Sequence, residues 1–156
     1  MILINEEETN KMCKALDIAK YILTQCTLRN QSINCVHLNY IMYNLQENYL
    51  RNYDKPLFAE NFQASDKGCI ITEVYNVFCG YGGSKIPNTY NVNIPITIKD
   101  FIDINIGIID LPMWVLLEGM HKSDSPYTKV WNNGKGKYHV IPKELIKQKY
   151  IKIKGE

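Results

Sequence analysis

Apolar residues recur at Ala15, Ile18, Ala19, Ile22, Leu23 and Cys26, a spacing that paints one face of a 3.6-residue helix. The pattern returns at Leu38, Ile41, Met42, Leu45 and Tyr49, in a helix that opens near Asn34. The polar stretch LRNQSIN separates the two. Each stripe must be hidden from water, so the simplest frame is an antiparallel helix pair. Asn5 or Thr9 is placed to cap the first helix, and Glu6–Glu8 suit the positive end of its dipole.

After Tyr53 the helical period is lost. In DKPLFAENFQASDKG, Pro56 favours an extended Lys55, and Leu57, Phe58, Phe62 and Ala64 suit one or two short strands or an ordered loop. A short third helix carries Ile71, Val74, Tyr75 and Phe78 and stops at Gly80, Gly82 and Gly83. SKIPNTYNVNIP reads as an irregular loop. A fourth helix turns Ile98, Phe101, Ile102, Ile106 and Ile109 inward, and Pro112 starts a fifth with Met113, Leu116, Leu117 and Met120 on one face. WNNGKGK reads as a flexible loop, and Pro142 opens a last helix with Leu145, Ile146 and Tyr150 inward. The expected fold is mainly α: a compact single domain over residues 1–156, with a small β or extended insert around residues 55–70. Residues 152–156 form a basic tail. A chain of 156 residues is long enough to bury a sizeable core as one domain.

No apolar run is clean enough to span a bilayer: FIDINIGIIDLPMWVLLE is broken by Asp103, Asp110 and Pro112. MILINEEETN has neither the form of a signal peptide nor that of a transit peptide, so a cytoplasmic address is expected. The five cysteines, Cys13, Cys26, Cys35, Cys69 and Cys79, include no C-x-x-C and read as reduced cysteines that behave as small apolar core residues. Charge is unevenly spread. Residues 122–156 hold nine Lys against three acids, while the preceding residues carry nine basic and thirteen acidic side chains. A basic end of this kind can meet an acidic partner or phosphates. Lys outnumbers Arg sixteen to two, which weakens the nucleic-acid reading because Arg is the better bidentate reader of phosphate and guanine.

Motifs for catalysis do not assemble. FCGYGGSK and NNGKGK lack phosphate-loop spacing. His37, His121 and His139 lack metal-ligand spacing, so no metal and no cofactor is expected. The densest cluster is EGMHKSDSPYTKVW, residues 118–131. His121 beside Ser123, Asp124 and Ser125 invites a nucleophile–base reading, but adjacency in sequence does not supply that geometry. The favoured reading is a rigid corner. His121 and Lys122 complement the negative end of the helix that stops there, Asp124 and Ser125 bond neighbouring amides, and Pro126 ends the preceding helix.

Four blocks together resemble the Panacea-domain family, the SocA-like antitoxin group that includes many phage-associated proteins. They are ALDIAKYIL, LNYIMYNLQENYLRNYDKPLFAENFQA, GCIITEVYNVFCGYG, and MHKSDSPYTKVW followed by IPKELIKQKY. Tyr43, Pro56, Leu57, Phe58, Gly68 and Tyr75 sit at the family's motif positions. The chain departs from the pattern at Cys69, where Pro is usual, at Ser65, near a usual Trp, at Tyr127, where Trp is usual, and at Tyr40, where Lys is usual. The resemblance implies a non-enzymatic protein-binding module, antitoxin-like, which neutralises a toxin or effector by direct contact in the bacterial cytoplasm. Two alternatives stand beside it: a phage-encoded inhibitor of a host defence protein, acting in the host cytoplasm, and a nucleic-acid binder using the Lys-rich end. The residues expected to meet a partner are His121, Lys122, Ser125, Pro126, Tyr127 and Trp131, with Trp131 equally suited to the core.

Overall fold

The computed structural model describes residues 12–147. Asn5, Thr9, Glu6–Glu8, Tyr150 and the basic tail at 152–156 lie outside the described residues.

The first two helices form the frame. Helix α1 runs Ala15–Leu28 and α2 runs Cys35–Tyr53. Every apolar position that set the period of α1 is buried. No side chain of the flanking residues caps α1; instead Glu60, far along the chain, accepts from the Ala15 amide at 3.0 Å. Helix α2 starts as the sequence implies, with the Asn34 side chain accepting from the His37 amide at 2.8 Å. It ends at Asp54, which adopts a left-handed conformation and pairs with Lys147.

Helix α2 is buried on more sides than an amphipathic stripe predicts. Tyr40, Tyr43, Leu50 and the polar Asn39 and Gln46 are also inside. Each of the two amides bolts a non-helical segment to α2. Asn39 accepts from the Ile71 amide at 2.9 Å and donates to the Cys35 carbonyl at 2.9 Å. Gln46 accepts from the Leu57 amide at 2.7 Å and donates to the Phe58 carbonyl at 3.2 Å. Buried backbone groups outside helices and sheets need such partners, and two amide side chains each serve as donor and acceptor at once.

The expected insert is a three-stranded antiparallel sheet. Strands β1 (Phe62–Ser65) and β2 (Gly68–Ile70) form a hairpin, and β3 (Val140–Ile141) adds on the other side, giving the order β2-β1-β3. Ser65 pairs with Gly68, and Gln63 pairs with both Ile70 and Val140. Gly68 has φ +91, and a Cβ there would lie 2.6 Å from the Tyr40 ring, so no other residue fits without movement.

Helix α3 (Thr72–Phe78) passes into a 3₁₀ turn, Cys79–Tyr81, that runs through Gly80 and ends at Gly82, where φ is +58. Residues 84–95 carry no regular structure but are pinned to α1: the Tyr90 amide donates to Thr24 Oγ1 at 2.8 Å, and Thr27 Oγ1 donates to the Asn88 carbonyl at 3.0 Å. Helix α4 (Ile96–Ile104) is shorter than expected. At Asn105 the chain tightens into a 3₁₀ segment, Ile106–Asp110, which still buries Ile106 and Ile109. Asn105 bonds back to the Phe101 carbonyl at 2.8 Å, a competing side-chain interaction that favours helix ends.

Helix α5 (Met113–Met120) follows Pro112 and buries Leu116 and Met120. Met113, expected inward, is exposed, and Leu117 is half-buried. Pro126 does not merely end a helix: it opens α6 (Pro126–Trp131), with Ser125 as its cap. The expected flexible loop after Trp131 is instead a defined series of left-handed turns at Asn132, Asn133, Gly134 and Tyr138 that delivers β3. Within it Gly136 packs so closely on Val130 that a Cβ would fall 1.7 Å from the Val130 carbonyl oxygen. Residues 143–147 are helical after Pro142, with Ile146 buried and Leu145 half-buried. No helix among the described residues is long and apolar enough to cross a membrane.

Candidate interaction surface

The corner at 118–131 is built from the end of α5 and the start of α6. Ser125 is 1% exposed; its hydroxyl donates to the Met120 carbonyl at 2.5 Å and accepts from the Thr128 amide at 3.1 Å. That hydroxyl is engaged by backbone at both ends of the corner, not by His121. Ser123 and Asp124 are exposed. The His121 ring packs on Tyr127, with centroids 4.7 Å apart, and partial burial lowers its pKa. Tyr127 in turn stacks on Trp131 at 6.0 Å.

The expected partner residues therefore divide. Ser125, Pro126 and Tyr127 are buried, Tyr127 to 2% exposure, so they offer little surface to a second molecule. His121 and Lys122 are exposed, and Trp131 is half-buried. The motif positions are mainly internal as well. Tyr43 packs edge-on against Phe62 at 5.2 Å, and Leu57 and Phe58 are buried. Pro56 is half-buried, Gly68 opens β2 directly after the turn at Asp66 and Lys67, and half-buried Tyr75 meets the Lys67 amine at 3.0 Å.

Tyr40, Ser65, Cys69 and Tyr127 converge on the β1–β2 turn. Tyr40 donates to the Lys67 carbonyl at 2.6 Å from the α2 side. Tyr127 donates to the Ser65 carbonyl at 2.6 Å from the α6 side. Ser65 donates across the turn to the Gly68 carbonyl at 2.8 Å. Fully buried Cys69 directs its amide to the Met120 sulfur at 3.2 Å. Burial raises the pKa of Tyr127 to about 12 and pushes those of Tyr40 and Cys69 upward. These groups stay neutral at physiological pH and act as hydrogen-bonding and packing groups.

No family model, curated protein or solved structure matches the chain.

Sequence reasoning missed the most exposed large aromatic side chain among the described residues. Trp114 is 64% exposed on the first turn of α5. Leu111 and Met113 are exposed beside it, and Ile104 is exposed at the end of α4. Counting along the helix, Leu117, Glu118 and His121 follow Trp114 at three, four and seven residues, so they continue the same face. The signal was available: once Leu116 and Met120 are assigned inward, Trp114 at two residues before Leu116 must point away. The Lys-rich third is partly spent on the fold. Lys143 donates to the Ala59 carbonyl at 2.7 Å and Asn61 Oδ1 at 2.6 Å, and Lys147 pairs with Asp54. Among the described residues no group of three His, Cys, Asp or Glu is placed to hold a metal ion.

Proposed function

We propose that this protein is a binding module that acts by contact, restraining a toxin or similar effector encoded nearby. The observation that carries the reading is the exposed apolar edge at Leu111, Met113 and Trp114. Exposed Trp is enriched among residues that dominate binding energy, and clustered apolar exposure commonly marks an interface. The resemblance to SocA-like antitoxins points the same way. The buried corner, with Ser125 engaged by Met120 and Thr128, supplies a stiff support for the end of α5.

The test is co-expression with each flanking open reading frame. The expected result is that a toxic neighbour becomes harmless and co-purifies with this protein. Absence of both rescue and complex with every neighbour refutes the reading. The second reading is a phage-encoded inhibitor of a host defence protein; the altered positions Tyr40, Ser65, Cys69 and Tyr127 are buried and do not distinguish the two partners. On that reading a phage lacking the gene plates poorly only on hosts that carry the defence, and equal plating rules it out. The nucleic-acid reading predicts binding that weakens steeply with salt. The engagement of Lys143 and Lys147 within the fold counts against it.

A further inference from the structure

We infer that Asn133 is a modification site: it deamidates without an enzyme, and its isoaspartyl product opens the turn that delivers β3. Asn133 is the one asparagine of the chain that precedes a glycine. Deamidation begins when the backbone nitrogen of the next residue attacks the side-chain carbonyl carbon, and glycine, with no Cβ, hinders that attack least. Asn133 is also exposed, whereas Asn39 is buried and tied to the Ile71 amide and the Cys35 carbonyl. The reaction needs only water. The Gly134 nitrogen bonds to Asn133 Cγ and gives up its proton, the Cγ–Nδ2 bond breaks, and ammonia leaves. Water then opens the five-membered ring at one of its two carbonyls. One route gives aspartate. The other gives isoaspartate, in which the main chain runs through the former side-chain carbons. Each adds one negative charge to a stretch that carries Lys129, Lys135 and Lys137.

The turn controls the rate. Asn133 sits at φ 56 and ψ 33, and the Lys135 amide donates to the Asn132 carbonyl across it at 3.2 Å. Closing the ring swings the Gly134 nitrogen round to the Asn133 side chain, so ψ must rotate and that bond must open. The folded protein therefore reacts more slowly than a free peptide, by the fraction of time the turn is open. The same turn decides the consequence. The Gly136 amide donates to the Trp131 carbonyl at 3.0 Å, and Gly136 packs so tightly on Val130 that no Cβ fits. Beyond it the Tyr138 amide donates to the Ala64 carbonyl at 2.6 Å, and the Ala64 amide donates to the His139 carbonyl at 3.0 Å. These bonds lead into β3, which is only two residues long. Isoaspartate lengthens the main chain inside the Trp131–Gly136 loop by one carbon. That loop has no slack, so its closing bond is lost, and with it the support that holds Tyr138 at φ +66 against β1. Aspartate keeps the chain length and tolerates the left-handed region, so it leaves β3 in place.

The test ages the intact protein and a blocked synthetic peptide VWNNGK side by side at physiological pH and temperature, each against an unaged sample. Brief digestion at mildly acidic pH and mass spectrometry of the tryptic peptide 130–135 are expected to show a gain of one dalton at Asn133. The other asparagines are expected to stay intact, and the folded protein to convert severalfold more slowly than the peptide. Cation exchange separates the aged form, and labelling by an isoaspartyl methyltransferase identifies the isoaspartyl fraction. In that fraction the Gly136 and Tyr138 amides are expected to exchange hydrogen at least tenfold faster than in unaged protein. Asn133→Asp, which carries the charge without the extra carbon, is expected to exchange as unaged protein does. Asn133→Gly keeps the left-handed turn and is expected to yield no aged form. An unconverted protein when the peptide has reacted to completion overturns the inference, as does equal conversion at other asparagines. Unchanged exchange in the isolated isoaspartyl fraction, or equally fast exchange in Asn133→Asp, overturns it as well.

Discussion

Replacing Gln46 by Leu tests how the insert is attached to the helical frame. Leu keeps nearly the same volume, so the change isolates the loss of polar partners from the creation of a cavity. Gln46 is fully buried, and its side chain satisfies the Leu57 amide at 2.7 Å and the Phe58 carbonyl at 3.2 Å. Each buried backbone group left unpaired costs about 1–3 kcal/mol, so the pair costs about 2–6 kcal/mol. A domain of ordinary stability has about 5–15 kcal/mol in all, so the loss is a large fraction of it. Urea unfolding followed by circular dichroism is the assay. With a denaturant slope of about 2 kcal/mol per molar, the midpoint is expected to fall by about 1–3 M. Hydrogen exchange at the Leu57 amide is expected to speed up more than exchange within α1. A midpoint shift below about 0.3 M with an unchanged slope refutes the argument, because it means the two backbone groups find other partners at no cost.

Three further outcomes follow from the same geometry. Gly68→Ala places a side chain at φ +91 against the Tyr40 ring, where left-handed strain alone costs about 1–3 kcal/mol; a melting temperature lower by several degrees is expected, and an unchanged one contradicts the packing. Tyr127→Phe removes the bond to the Ser65 carbonyl and is expected to cost about 1–2 kcal/mol in urea unfolding while leaving the Trp131 stack in place. Burial lowers the pKa of His37 below its ordinary 6.5, so the unfolded chain takes up a proton before the folded one does. Stability from this group is complete above about pH 6.5 and declines as pH falls toward the folded value. His37→Gln is expected to flatten the urea midpoint between pH 6.5 and 5, and an identical slope in the variant removes His37 as the cause.

The placement of Met113 shows why helix-face assignment from sequence has a limit. Met113, Leu116, Leu117 and Met120 all fit one broad stripe, yet only Leu116 and Met120 are buried. Helical spacing defines a face; its width inward depends on what the helix meets, and α5 meets α2 and the hairpin over a narrow seam. Pro126 shows the complementary limit. Proline is permitted both after a helix and at the first position of one, and only the Ser125 cap on Thr128 decides for the second.

What the sequence determined by itself was the periodic part: α1 and the opening of α2, the glycine stop after α3, and the mainly α character with a small insert. Those features depend on residues a few positions apart, whose geometry the backbone imposes wherever the chain goes. Tertiary structure alone decided the Gln46 and Asn39 bolts, the convergence of Tyr40, Ser65, Cys69 and Tyr127 on one turn, the third strand at Val140–Ile141, and the exposure of Trp114. Each of these joins residues far apart along the chain or depends on which surface a neighbour covers. Local spacing carries no record of either.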